Sequence, residues 1–198
     1  MDENLNAVIH DIKKDSDKLE LYDWVQCIVA ALVIGILCFM FIGRVIGVIG
    51  TSMVPTLQDD DQLIVSKLFY SPKQGDIVVF QTDVFGDEPL VKRIIATEDQ
   101  IIDINFTSGV VYVDGNALKE NYTAAPTTTR ENFEGPVTVP KGCIFVMGDN
   151  RNASTDSRSS HVGMVDTRSI LGKVYFIIIP GRDIANGERD WSRIGRVE

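Results

Sequence analysis

From Trp24 to Gly43 the chain reads "WVQCIVAALVIGILCFMFIG", an unbroken apolar run in which Gln26 is the one strongly polar side chain. Roughly 20 residues at a rise of 1.5 Å match the ~30 Å hydrocarbon core of a bilayer, so the run predicts one transmembrane helix over 24–43. A buried core helix would be shorter and would show a polar face. A cleaved leader is disfavoured as well, because the run exceeds an ordinary h-region, follows a polar tail and meets no small-x-small site before Arg44. The tail, 1–23, carries seven acids but also Lys13, Lys14 and Lys18, against Arg44 alone just beyond the run. Lysine and arginine near a span set its orientation, and acids count little. The tail is therefore expected in the cytoplasm, the span in the plasma membrane and residues 44–198 outside it, with Tyr22 and Trp24 as aromatic anchors at the inner interface.

Beyond the run, helical periodicity gives way to short β-type segments: "RVIGVIG", "QLIVSKLF", "DIVVFQT", "LVKRIIATE", "QIIDI", "GVVYVDG", "GCIFVMGD" and "ILGKVYFIIIP". Each is rich in Val, Ile, Phe or Tyr and bounded by turn residues, which predicts a mainly β, mainly antiparallel domain. "YVDGNAL" reads as a hairpin turning at Asp114-Gly115. "TAAPTTTRENFEGP", Thr123 to Pro136, lacks periodicity and is expected to be a mobile loop or connection. A net charge of -9 with scattered basic residues excludes a nucleic-acid surface. Cys27 and Cys38 fall in the apolar run and Cys143 stands alone, so no CxxC pair, zinc set or intradomain disulfide is expected.

One short stretch could carry chemistry. In "GTSMVPTL", Ser52 lies between Gly50 and Pro55, in a context that presents a hydroxyl from a stiff loop. Such a hydroxyl needs a base. His10 falls in the expected cytoplasmic tail, which leaves His161 or a lysine. In "VKRIIA", strand alternation sets Lys92 with Ile94 and Ala96 on one face, and Arg93 with Val91 and Ile95 on the other. A lysine held on an apolar face loses hydration, and its pKa falls toward neutrality. Periodicity leaves open which of the two basic residues faces inward. "MGDNRNASTDSR", Met147 to Arg158, crowds so many hydrogen-bonding side chains after one strand that it reads as a knot fixing other groups.

Taken in order behind a single span, "SMVPTL", "GDIVVF", "VKRIIA" and "GDNRNASTDSR" resemble the sequence boxes of bacterial type I signal peptidases, from the span to about Tyr175. The single span and small size resemble Gram-positive members. The resemblance implies a coiled antiparallel catalytic sheet with a smaller inserted β subdomain within about 97–147, and neither metal nor cofactor. It implies Ser52 as nucleophile, beside Met53, and Lys92 as the general base that later protonates the leaving amine. Ser154 would hydrogen-bond the Lys92 amine, Asp149 would pair with Arg93, and Asp156 with Arg158. The Ser52 backbone N–H would donate to the oxyanion. Gly50 stands where some Gram-negative members carry a serine as second donor; Gly50→Ser is expected to preserve activity if the backbone there tolerates a side chain. The implied substrates are preprotein signal peptides with small residues at the first and third positions before the cut, presented at a lipid bilayer. Nine residues from Gly43 to Ser52 extend at most about 30 Å, which keeps the hydroxyl near the membrane.

Three other readings fit parts of the chain. A Ser-His signal peptidase of the endoplasmic-reticulum and archaeal branch would use His161 with Asp156 or Asp166. A soluble self-cleaving repressor of related fold would use a Ser-Lys dyad, against which the apolar run speaks. A membrane-tethered binding or chaperone module would need no catalysis.

Overall fold

The computed structural model describes residues 20–36, 43–82, 86, 88–183 and 187–197. Its two units are Met1–Ile42 and Gly43–Glu198. In the first, residues 20–36 form a helix whose side chains are exposed, Leu21, Trp24, Ile28, Leu32 and Ile36 among them. Among the described residues no helix is long and apolar enough to cross a membrane, and positions 37–42 of the expected span lie outside the described residues. So do positions 1–19 of the expected tail.

The second unit is built from antiparallel strands, and every predicted β segment contains one. The strands are β1 (Arg44–Gly47), β2 (Gln62–Ser66), β3 (Ile77–Phe80), β4 (Leu90–Thr97), β5 (Ile101–Asn105) and β6 (Val110–Val113). After these come β7 (Asn116–Ala117), β8 (Val137–Thr138), β9 (Cys143–Met147), β10 (Val165–Asp166), β11 (Ile170–Ile179) and β12 (Gly195–Arg196). The two-residue strands β8, β10 and β12 are too short to carry a period and were not foreseen. Eight strands make one sheet, in the order β1-β2-β11-β3-β4-β9-β10 with β12 paired to β11. Bulges interrupt β11 against β2 and β3, and β4 against β9. Each bulge bends its strand and increases the local twist, which curls the sheet.

Alternation decides the outer strands. In β5 the side chains of Ile102 and Ile104 are buried while their neighbours are exposed. At the centre that rule fails: β3 is buried at every position, and β4 from Val91 to Ala96. A strand covered on both faces has no solvent side to encode. β5 to β8 form a second sheet, in the order β7-β6-β5-β8, inserted between β4 and β9. The hairpin turns at Asp114 and Gly115, both at positive φ. The insertion shares a core with the large sheet, since Ile102, Ile104, Val111 and Val113 pack with Ile95, Ala96, Phe145 and Met147. β9, within the stretch expected to be insertion, belongs to the large sheet, paired with β4.

The Thr123 to Pro136 segment is irregular, as expected, but it is held. Thr127 and Phe133 are buried, and Phe133 sits edge-on between Phe106 and Phe145 at 6.0 and 5.8 Å. The Asn152 side chain accepts from the N–H groups of Thr128 and Thr129, both at 3.0 Å, and donates to the Pro126 carbonyl. A loop tied by partners distant in sequence has no local signature.

Candidate active site

Ser52 is carried on the loop between β1 and β2. Met53 and Leu57, four residues apart, both drop into the core beneath it, and Leu57 N–H donates to the Met53 carbonyl at 2.9 Å. That turn leaves Ser52 half-buried at the edge of a cleft of 140 Å³, lined also by Ile49, Met53, Leu90, Val91 and Lys92. Among the described residues nothing accepts a hydrogen bond from the Ser52 N–H. Gly50 has φ of +87°, and its N–H donates to Asp59 Oδ1 at 2.7 Å. The condition attached to Gly50→Ser therefore fails: a Cβ would meet nothing within 4 Å, but the backbone lies where L side chains are strained.

Lys92 projects from β4 where it pairs with Val78 of β3. It is 3% exposed, and its Nζ donates to Ser52 Oγ at 2.7 Å and to the Val91 carbonyl at 3.2 Å. Burial lowers its pKa to about 8, against the upward pull of Asp156 and Asp149 and with a smaller downward push from Arg158. Arg93, the next residue, is buried too. Its Nε and Nη2 donate to the Asp149 carboxylate at 2.9 and 2.8 Å, its Nη1 to the Gly75 carbonyl, and its guanidinium lies 4.0 Å from the Tyr122 ring centre. Both basic residues face inward, one doing so on each side of a doubly covered strand.

The polar loop after β9 ties these parts together. Asn150 N–H donates to the Ser52 carbonyl at 3.0 Å, and the Asn150 amide to the Thr51 carbonyl at 3.2 Å. Asp149 Oδ2 accepts from the Thr56 hydroxyl at 2.5 Å. Asp156, fully buried, takes Gly148 N–H at 3.0 Å and a two-pronged contact from Arg158 at 2.8 and 2.9 Å. Desolvation is the largest influence on Lys92, and Arg158, paired with Asp156, offsets part of the upward pull of the two carboxylates.

Ser154 departs from expectation. Its Oγ is buried without a hydrogen-bond partner, so the bond to the Lys92 amine implied by the resemblance is not made here. The hydroxyl packs against Gly148, where any Cβ would overlap Ser154 Oγ and the Ser52 carbonyl oxygen. His161 makes no contact with Ser52 among the described residues. The carboxylates suggested as its partners are engaged elsewhere, Asp156 with Arg158 and Asp166 with Arg168 on the surface. No group of His, Cys, Asp and Glu that could hold a metal occurs among the described residues. Arg151 was not singled out from the sequence. It donates to the Glu120 carboxylate, the Thr127 hydroxyl and the Gly148 carbonyl. An arginine inside the dense polar run Met147 to Arg158 was a usable signal; Glu120, its partner, carried none.

A buried amine whose pKa is lowered to about 8, in contact with a hydroxyl at the edge of a cleft, can in its neutral form take that proton and turn the oxygen into a nucleophile. Residues 21–179 match the family model described as signal peptidase, peptidase S26. The chain belongs to that family. The match takes in every residue of the cluster around Ser52 and Lys92, and makes this peptidase a signal peptidase I hydrolase. The signal peptidase I of Bacillus licheniformis is 34% identical over 185 residues, 87% of this chain and 96% of that one. A probable signal peptidase I-1 of Synechocystis is 36% identical over 167 residues, 79% of this chain and 81% of its own. A crystal structure of a signal peptidase I from Enterococcus faecalis V583 aligns with a TM-score of 0.45 and 29% identity, over 52% of this chain and 97% of that one. The peptidase's residues 180–198 fall beyond the family match.

Proposed function

We propose that this peptidase removes signal peptides from preproteins through a Ser52–Lys92 dyad and an acyl-enzyme. One observation carries the proposal: a 2.7 Å contact between Ser52 Oγ and the amine of a lysine only 3% exposed. In its neutral form Lys92 accepts the Ser52 proton as Oγ attacks the scissile carbonyl carbon. The oxyanion that forms is met by the Ser52 N–H, which is free to donate. Collapse of the tetrahedral species breaks the peptide bond, and Lys92 returns its proton to the departing amine. Water then attacks the acyl carbon as Lys92 takes its proton, and collapse of this second tetrahedral species breaks the ester to Ser52 Oγ, which receives the proton from Lys92 as the signal peptide leaves.

The paired carboxylates, Asp149 with Arg93 and Asp156 with Arg158, are supports that keep the two reacting side chains in register. Ser154 Oγ, buried and without a partner, would accept from the Lys92 ammonium after a shift of either side chain, the role the resemblance implies. Substrates are expected to present small residues at the first and third positions before the cut. The apolar run 24–43 would hold the enzyme on the bilayer, N-terminus in the cytoplasm, with residues 44–198 outside. Tethering confines enzyme and substrate to one surface and raises their effective concentration.

Lys92→Arg tests the chemistry, because arginine keeps the charge and cannot release its proton at any working pH. Purified protein is incubated with a preprotein and the new N-terminus is sequenced. Wild type should cut after a small residue, and both Lys92→Arg and Ser52→Ala should be inactive. Full activity of Lys92→Arg together with loss in His161→Ala would move the base to His161.

A further inference from the structure

The loop that carries Ser52 is closed by Asp61, whose carbonyl accepts from Val48 N–H at 2.8 Å while Asp60 N–H returns to the Val48 carbonyl at 2.9 Å. The Asp61 carboxylate has no exposed surface and collects four donors. Two are backbone: Gln58 N–H at 2.8 Å and Gly181 N–H at 2.6 Å. Two come from Arg193, whose Nη1 and Nη2 meet Oδ1 and Oδ2 at 2.9 and 2.7 Å. The same guanidinium reaches Gln58 Oε1 at 3.0 Å and the Thr56 carbonyl at 3.2 Å. Thr56 in turn donates its hydroxyl to Asp149, the carboxylate that holds Arg93 beside Lys92. The strand partners keep the C-terminal segment in place, through β12 on β11 and Val197 N–H on the Tyr175 carbonyl at 3.0 Å. Gly181 approaches so closely that a Cβ would overlap the Asp59 carbonyl oxygen.

Apolar side chains could close a loop at lower desolvation cost than a buried ion pair. What a planar fork adds is direction, since it fixes Asp61, Gln58 and Thr56 relative to one another. We propose that Arg193, acting through Asp61, is a positioning residue for this peptidase: it sets the Ser52 loop so that the hydroxyl meets the Lys92 amine. The proposal rests on the Ser52–Lys92 reading, and it gives the segment beyond the family match a part in catalysis without contact to substrate.

The test uses the full chain in detergent, a preprotein substrate, and Arg193→Ala, Arg193→Lys and Ser52→Ala. A displaced nucleophile lowers turnover and leaves binding intact, so Arg193→Ala should lose about tenfold or more in kcat with KM within about threefold. The acid limb of its pH profile should move little, because Lys92 stays on β4, held between β3 and β9, wherever the loop sits. Arg193→Lys, with charge but no fork, should recover only part of the loss. Wild-type kcat in folded Arg193→Ala would overturn the proposal. So would a rise in KM alone, or a loss that disappears at a temperature where the variant is fully folded. Should Arg193→Ala not fold, Arg193→Lys decides: a kcat loss of about threefold or more supports positioning, and wild-type kcat overturns it. Activity in Ser52→Ala would instead bring down the dyad on which the inference stands.

Discussion

At Lys92 the burial that makes a base also weakens the fold. Its amine is held near pKa 8 in the folded chain against an ordinary 10.5, so the unfolded chain binds the proton more tightly. Between those values stability therefore rises with pH, and below about 8 the folded state bears the whole difference, roughly 3 kcal/mol. Lys92→Met should abolish cleavage and yet raise Tm at pH 6 by several degrees, an effect that shrinks as pH climbs past 10. Calorimetry at pH 6 and pH 10 checks it, and an equal shift at both would show that packing, not the charge, is responsible. In wild type kcat/KM should climb with pH through an apparent pKa near 8, since the neutral amine is the working form. Gly50 is a second case in which one backbone angle decides the outcome. With φ at +87°, Gly50→Ser costs about 1–2 kcal/mol of strain in the Ser52 loop. Turnover should fall about tenfold, although the new hydroxyl would have room, and retained activity would mean that the loop relaxes freely.

Among the elements, the polar loop after β9 is read best through Asp149. It neutralises Arg93 inside the protein, with side chains 3% and 0% exposed across the pair. Asp149→Asn leaves a buried guanidinium with its fork mismatched, and breaking such a pair costs about 3–5 kcal/mol. Urea unfolding should show that loss. Adding Arg93→Met to Asp149→Asn should return a good part of it, because no uncompensated charge is left; a double variant less stable than the single would refute this account. The insertion between β4 and β9 is bound into the same arrangement, since Arg151 on the polar loop holds Glu120 and Thr127. Its stability should therefore rise and fall with the site and not as a separate domain.

For the whole molecule, the orientation proposed from Lys13, Lys14 and Lys18 can be checked on intact protoplasts. Protease added outside should digest the β unit and spare a protected N-terminal fragment. Digestion confined to the tail would reverse the topology.

Much of this protein was legible in its amino-acid order. The eight main β segments, the Asp114-Gly115 turn and the residue types gathered around Ser52 are all local patterns, and local patterns survive without a fold. Which basic residue meets Ser52 was not fixed by periodicity and came only from the resemblance. β4 is buried on both faces, so Lys92 and Arg93 both point into protein and no polar side marks the difference. Only the pairing of β4 between β3 and β9, and the placing of the Ser52 loop over one face, separates an amine in contact with a hydroxyl from a guanidinium locked to Asp149. The same holds for Asp61 and Arg193, 132 residues apart: their contact is made by chain closure, which no sequence window spans.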